Sequence, residues 1–195
     1  MRIIDILEAI KQRRSIHNFK KVEVDLSILK EIFKFASYAP THYMKEPWNI
    51  KLYQQEGKQI LIKEIIKSYQ RAGMIKKDDH PKTKKTISSI SQFLLDIPHH
   101  ALIYFERESD PVRYEELYAS ICAFIQNAQL AAWKYNVGML WTITPYMHDP
   151  IFVEQIGLDN ETQKIAAVMQ IGYPEKIPRS KGRTPIEQKL EIISK

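Results

Sequence analysis

Between Glu115 and Tyr135 the chain carries Leu117, Ala119, Ile121, Cys122, Phe124, Ile125, Ala128, Leu130, Ala131 and Trp133, an apolar set that covers most of a helix's circumference. A helix apolar almost all round does not sit on a wetted surface; it is buried in a core or in a subunit interface. The pattern predicts one long central helix and leaves both kinds of burial open. Gly138 lies just past its end as a stop signal. With 44% hydrophobic and 10% aromatic residues in 195, the chain can enclose such a helix, and one domain over residues 1–195 is expected.

Shorter elements fall around it. Ile3, Ile6, Leu7 and Ile10 recur at helical spacing, so a first helix ends near Arg14. Asp25 is placed to cap a second helix carrying Leu26, Leu29, Ile32, Phe33 and Ala36, which Pro40 stops. Residues 48–53 alternate as a strand, 58–71 form an amphipathic helix, and 73–85 a loop, with helix resuming over 86–95. Residues 100–105, 138–143 and 164–172 are apolar strands, and Asp149 can cap a short helix ended by Gly157. Helices among nonadjacent strands predict an α+β fold, a central mixed or antiparallel sheet flanked by helices. From Pro174 onward the chain is expected to be irregular.

Several chemistries are excluded on motif grounds. The six glycines make no Gly-X-Gly, so neither a dinucleotide fingerprint nor a P-loop is present. There is no His-Glu-X-X-His and no Gly-X-Ser-X-Gly. His99 and His100 are adjacent, face opposite sides of a strand, and make a poor metal pair; no metal is expected. Cys122 is the single cysteine and reads as a buried, inert thiol. No run approaches a membrane span, and Met1-Arg2-Ile3-Ile4-Asp5 meets an acid at once, so no secretory signal is read and a cytoplasmic protein is expected. The formal charge of +6 admits a nucleic-acid partner. However, the lysines at 58, 63, 67, 76, 77, 82, 84 and 85 are interspersed with acids and accompany no nucleic-acid motif, so a solvated surface with a basic pocket is the simpler account.

The chemistry-bearing residues gather in four places. Arg13-Arg14-Ser15 puts two guanidinium forks and a hydroxyl where the first helix should end, and such forks match a phosphate in two-point contact. Ala39-Pro40-Thr41-His42, followed by Glu46-Pro47-Trp48, supplies a proline-fixed aromatic turn suited to wall a flat ring. Lys181-Gly182-Arg183-Thr184-Pro185 forms a second basic cluster near the far end. The strand Gly138-Met139-Leu140-Trp141-Thr142-Ile143 follows the long helix, and Ile171-Gly172-Tyr173-Pro174 follows the last one.

In order and spacing these elements resemble the nitroreductase family of FMN-dependent NAD(P)H oxidoreductases, from about Ile6 to Arg183. The resemblance implies FMN as cofactor and NAD(P)H as co-substrate, with Arg13, Arg14, Ser15, Lys181 and Arg183 at the flavin phosphate. It implies Trp141, Thr142, Ile143 and His42 around the ring. It also implies a homodimer with FMN at the interface, and a small electron-poor acceptor such as a nitroaromatic or quinone in a ping-pong cycle. A flavin carries the hard chemistry, which accounts for the absence of a visible acid–base pair or nucleophile. Three positions depart from many members: Met44 stands where they have Asn, Glu46 where they have Gln, and His17 where Arg or Lys is frequent; Pro40-Thr41-His42 with Glu46-Pro47-Trp48 resembles a subgroup that uses a Pro-X-His turn before the Pro-Trp. Met44 and His17 motivate an alternative, a flavin-binding protein with little turnover that serves storage, sensing or flavin breakdown.

Overall fold

The computed structural model describes residues 5–194, so the predicted start of the first helix at Ile3 lies outside the described residues. Helix α1 spans Ile6–Gln12, α2 Leu26–Ala36, strand β1 Asn49–Gln54, α3 Gly57–Arg71 and α4 Pro81–Asp96. Strand β2 spans His99–Glu106, α5 Pro111–Lys134, β3 Gly138–Thr142, α6 Pro150–Gln155 and β4 Gln163–Gly172. The strands form one sheet in the order β1-β2-β4-β3. Every neighbouring pair is antiparallel, with Leu52 opposite Ala101, Leu102 opposite Val168 and Leu140 opposite Gln170. The mixed alternative is therefore set aside, for a topological reason. Helix α5 carries the chain back along the sheet, so β2 and β3 run the same way, and β4 enters between them in the opposite sense.

Both faces of the sheet are covered. On one, Ala101, Ile103, Phe105, Ala167, Met169 and Ile171 pack with Leu29 and Ile32 of α2 and with Ile121, Phe124, Ile125 and Ala128 of α5. On the other, Leu102, Ile165 and Val168 pack with Leu61 and Ile65 of α3 and with Phe152 and Val153 of α6. Strand β4 runs buried from Ile165 to Gly172, which explains its continuous rather than alternating apolar sequence.

Three expectations shift. Helix α4 begins at Pro81, inside the predicted loop, because Pro81 occupies the first turn, where its missing N–H costs nothing, and His80 Nδ1 accepts from the Lys82 amide at 3.2 Å. Helix α5 begins at Pro111 rather than 115 for a like reason, Asp110 accepting from the amides of Val112 and Arg113 at 2.9 and 3.1 Å. The all-round burial expected for α5 is only half met within one chain. Leu117, Ile121, Phe124, Ile125 and Ala128 are buried, while Ala119 is exposed and Cys122, Ala123, Leu130 and Ala131 are half-open. Cys122 is thus half-buried rather than fully enclosed, and burial still pushes its thiol above the usual range, which keeps it in the unreactive form.

Candidate functional site

Residues 15–19 leave α1 in extended form and run beside the sheet. Ser15 bridges to Met139 in parallel, the Ile16 amide donates to the Met139 carbonyl at 3.1 Å, and the Lys20 amide donates to Tyr173 at 2.8 Å. The Arg-Arg-Ser element is thereby fixed against β3, the strand that carries Trp141 and Thr142.

Arg13 is the residue that closes α1. Its Nη1 donates to Gln129 Oε1 of α5 at 3.1 Å, and its Nε is buried with no partner. Burial first, and then the like charges of Arg183 and Arg14, hold its guanidinium below the usual pKa. Arg14 Nη1 donates to the carbonyls of Lys11 and Arg13, both at 2.7 Å, and its Nε is also buried without a partner. Among the described residues none of these three arginines has a carboxylate within ion-pair distance. Ser15, Lys181 and Arg183 are exposed. Three cations crowded without a counter-ion, two of them with orphaned donors, suit a dianion such as a phosphate monoester.

Strand β3 begins beside this segment and runs on to Thr142. Trp141 is half-buried and its indole Nε1 has no partner; Ile143 is exposed. The Thr142 hydroxyl donates to the Val168 carbonyl at 2.6 Å, so its side chain is committed to the sheet and only its backbone is free for a ligand. Thr144, which sequence patterning did not single out, holds a buried hydroxyl without a partner. Gln129 was missed as well, because a Gln in a core-facing helix gives no sequence signal until the residue it holds is seen.

His42 lies elsewhere. It opens a one-turn 3-10 segment after α2, its Nε2 3.7 Å from Glu116 Oε2 near the start of α5, with the Tyr43 ring edge-on at 4.1 Å. Glu116 and Gln129 are thirteen residues apart on one helix, about 20 Å at the α-helical rise. Within one chain Arg13 therefore sits against the later part of α5, at Gln129, while His42 lies near its start, at Glu116. The adjacent histidines are structural. His99 Nε2 accepts from the Val24 amide and His100 Nε2–H donates to the Leu94 carbonyl, both at 2.9 Å. Among the described residues no three His, Cys, Asp or Glu side chains converge on a common point.

A two-layered helical cover on an antiparallel sheet, with an arginine-bearing segment pinned to its edge strand, defines an α+β protein. The profile of the Nitroreductase family matches residues 10–173, and the chain belongs to that family. It is 32% identical over 185 residues to YfhC of Bacillus subtilis, which carries the name of an NAD(P)H nitroreductase; the match covers 94% of this chain and 91% of that protein. The fold superposes with a TM-score of 0.87 on a nitroreductase-like family protein from Bacillus cereus, at 34% identity, covering 99% and 98% of the two chains. At 14% identity the FMN-dependent nitroreductase NfnB of Mycobacterium smegmatis, solved with NADPH, shares the fold with a TM-score of 0.70 over 97% of this chain and all of that one.

Proposed function

We propose that this chain is an FMN-dependent oxidoreductase that passes a hydride from NAD(P)H to an electron-poor acceptor such as a nitroaromatic or quinone. The observation that carries the proposal is the crowding of Arg13, Arg14 and Arg183 without a counter-ion at the edge of β3. The FMN-dependent relative with NADPH bound and the likeness to YfhC support it. FMN, when bound, accepts the hydride and returns it to the acceptor. For a nitro group the balance is one hydride from NAD(P)H and one proton, one nitro oxygen leaving as water to give the nitroso product.

The residues divide the work. Arg13, Arg14, Ser15, Lys181 and Arg183 bind the phosphate, and the unpartnered donors of Trp141 and Thr144 lie toward the ring end of β3. His42 completes the ring pocket from a second copy of the chain. This dimeric arrangement is supported by the roughly 20 Å that separates the two half-sites along α5 in one chain. It is supported too by apolar surface left open: Ile6, Leu7 and Ile10 on α1, the half-open side of α5, and Ile186, Leu190, Ile192 and Ile193 in the C-terminal segment. The full chain then acts as one FMN-binding domain per subunit.

The visible spectrum of the purified protein, with release and quantitation of the flavin, tests this. About one FMN per chain, bleached by NADH or NADPH and recoloured by a quinone, is the expected outcome. A colourless protein that takes up no FMN rules the proposal out. FMN bound but not bleached would favour the flavin-carrier alternative, for which the exposed Met44 and His17 speak, since neither offers the amide or guanidinium contact usual at its position.

A further inference from the structure

We propose that the cleft beside His42 selects acidic flat acceptors, with Arg113 and Lys45 binding a carboxylate on a nitroaromatic or quinone ring. The inference rests on the functional proposal above and deepens it.

The turn that forms one wall is held in an unusual backbone. Tyr43, Met44 and Glu46 have φ of 50°, 54° and 44°, three left-handed non-glycine residues within four positions. Such left-handed non-glycine backbone is strained, and strain of this kind persists where it is part of a site. What holds the turn is local: the Glu46 amide donates to Thr41 Oγ1 at 3.1 Å and the Lys45 amide to the His42 carbonyl at 3.2 Å. What the strain achieves is presentation. Tyr43 is 86% and Met44 76% exposed, so two adaptable apolar side chains project from the same turn.

Opposite the turn is the first turn and a half of α5, and the space between them is about 450 Å³, room for a substituted benzene or naphthoquinone. Its charges are unequally engaged. Asp110 is occupied as the cap of α5, accepting from two backbone amides. Glu116 faces His42. Lys45 and Arg113 line the same cleft and, among the described residues, neither is within ion-pair distance of a carboxylate. The two cations of the cleft are thus the side chains free to meet a ligand, and Arg113 can present a planar two-point fork to a carboxylate. A flat ring against Tyr43 with its acidic group on Arg113 and Lys45 uses every one of these features. A neutral acceptor leaves both cations idle.

The test compares 4-nitrobenzoate with 4-nitrobenzyl alcohol, which share ring and nitro group and differ in charge. Flavin content and bleaching by NADPH without acceptor are recorded first. The native protein should favour the acid in kcat/KM, with the preference fading as salt is raised. In Arg113→Ala and Lys45→Ala the ratio of the two kcat/KM values should fall about tenfold, through KM for the acid rather than kcat, and Arg113→Lys should recover part of it. Equal kcat/KM for the two acceptors in the native protein, or equal losses on both in Arg113→Ala, would overturn the inference while leaving the oxidoreductase proposal intact. A protein that binds no FMN, or whose flavin NAD(P)H does not bleach, fails at the first step and takes both proposals with it.

Discussion

Gly138 and Ile16 meet with no room for a side chain between them: a Cβ built on Gly138 would lie 2.5 Å from Cγ1 of Ile16 and 2.9 Å from its Cβ. The same position reads from sequence as a helix stop, yet its role in the fold is to let the segment carrying Arg13, Arg14 and Ser15 lie flat on the first residue of β3. Ile16 is fully buried and cannot yield into solvent. Gly138→Ala should therefore cost about 1–3 kcal/mol of stability through overpacking, and weaken FMN binding because Arg13 and Ser15 move with Ile16. Urea unfolding and flavin titration measure the two effects. Gly57→Ala, at a glycine in the first turn of α3 with nothing within 4 Å of its added Cβ, is the control and should leave flavin binding unchanged without loss of stability.

Removal of a guanidinium from the phosphate cluster should be read in affinity. Arg13→Ala or Arg183→Ala should weaken FMN binding by about 1.5–3 kcal/mol, the loss of a charge-assisted contact, with Arg13→Ala the larger because Arg13 is partly buried and braced by Gln129. Quenching of flavin fluorescence gives both constants. If the two variants hold FMN as the native protein does, the phosphate is bound elsewhere.

The separation of His42 from Arg13 has a consequence that can be read by mixing. In a dimer whose sites draw on both chains, Arg13→Ala and His42→Ala homodimers are each impaired at both sites. A heterodimer of the two has one site with both defects and one with neither. Co-refolding the variants should raise activity per chain above that of either parent, toward one quarter of the native value if chains pair at random and the variants are inactive. No gain on mixing, or a monomer by light scattering at micromolar concentration, would refute the shared site.

Burial holds the His100 imidazole neutral, its pKa pushed down to about 4. The unfolded chain takes up that proton near the ordinary value of about 6.5, so between these limits it binds more protons than the fold. The stabilisation is complete above about 6.5 and is lost as pH falls toward 4, to the extent of about 3 kcal/mol. Burial depresses His99 as well, in the same sense. Denaturant unfolding from pH 7 to 4.5 should show the decline, and His100→Gln should flatten it. A curve of unchanged slope in that variant would assign the loss to other groups.

Much of this was legible before any coordinates. The helical periods of α2, α3 and α5, the cap at Asp25, the buried strands β2 and β4 and the exclusion of a glycine phosphate loop follow from local pattern, because each depends on residues within one or two turns of one another. The Arg-Arg-Ser element was legible for the same reason, since its residues are contiguous. Helices α4 and α5 start before their apolar periods do, because a proline in the first turn and an acceptor at the cap carry each helix past its periodic stretch.

What the tertiary structure alone decided is who stands next to whom. That Arg13 rests on Gln129, that Thr142 gives its hydroxyl to Val168 while Thr144 keeps its own free, and that Gly138 is small for the sake of Ile16 are all relations between residues far apart in the chain. No periodicity encodes them. The position of His42 is the clearest instance: α2 packs along α5 and carries the chain from the arginines to a turn some 20 Å away along that helix. Sequence determines the elements and the chemical kinds of side chain, because those are set by neighbours along the chain. Packing of the sheet and α5 determines which of them face a common ligand, because that depends on the closure of contacts across it.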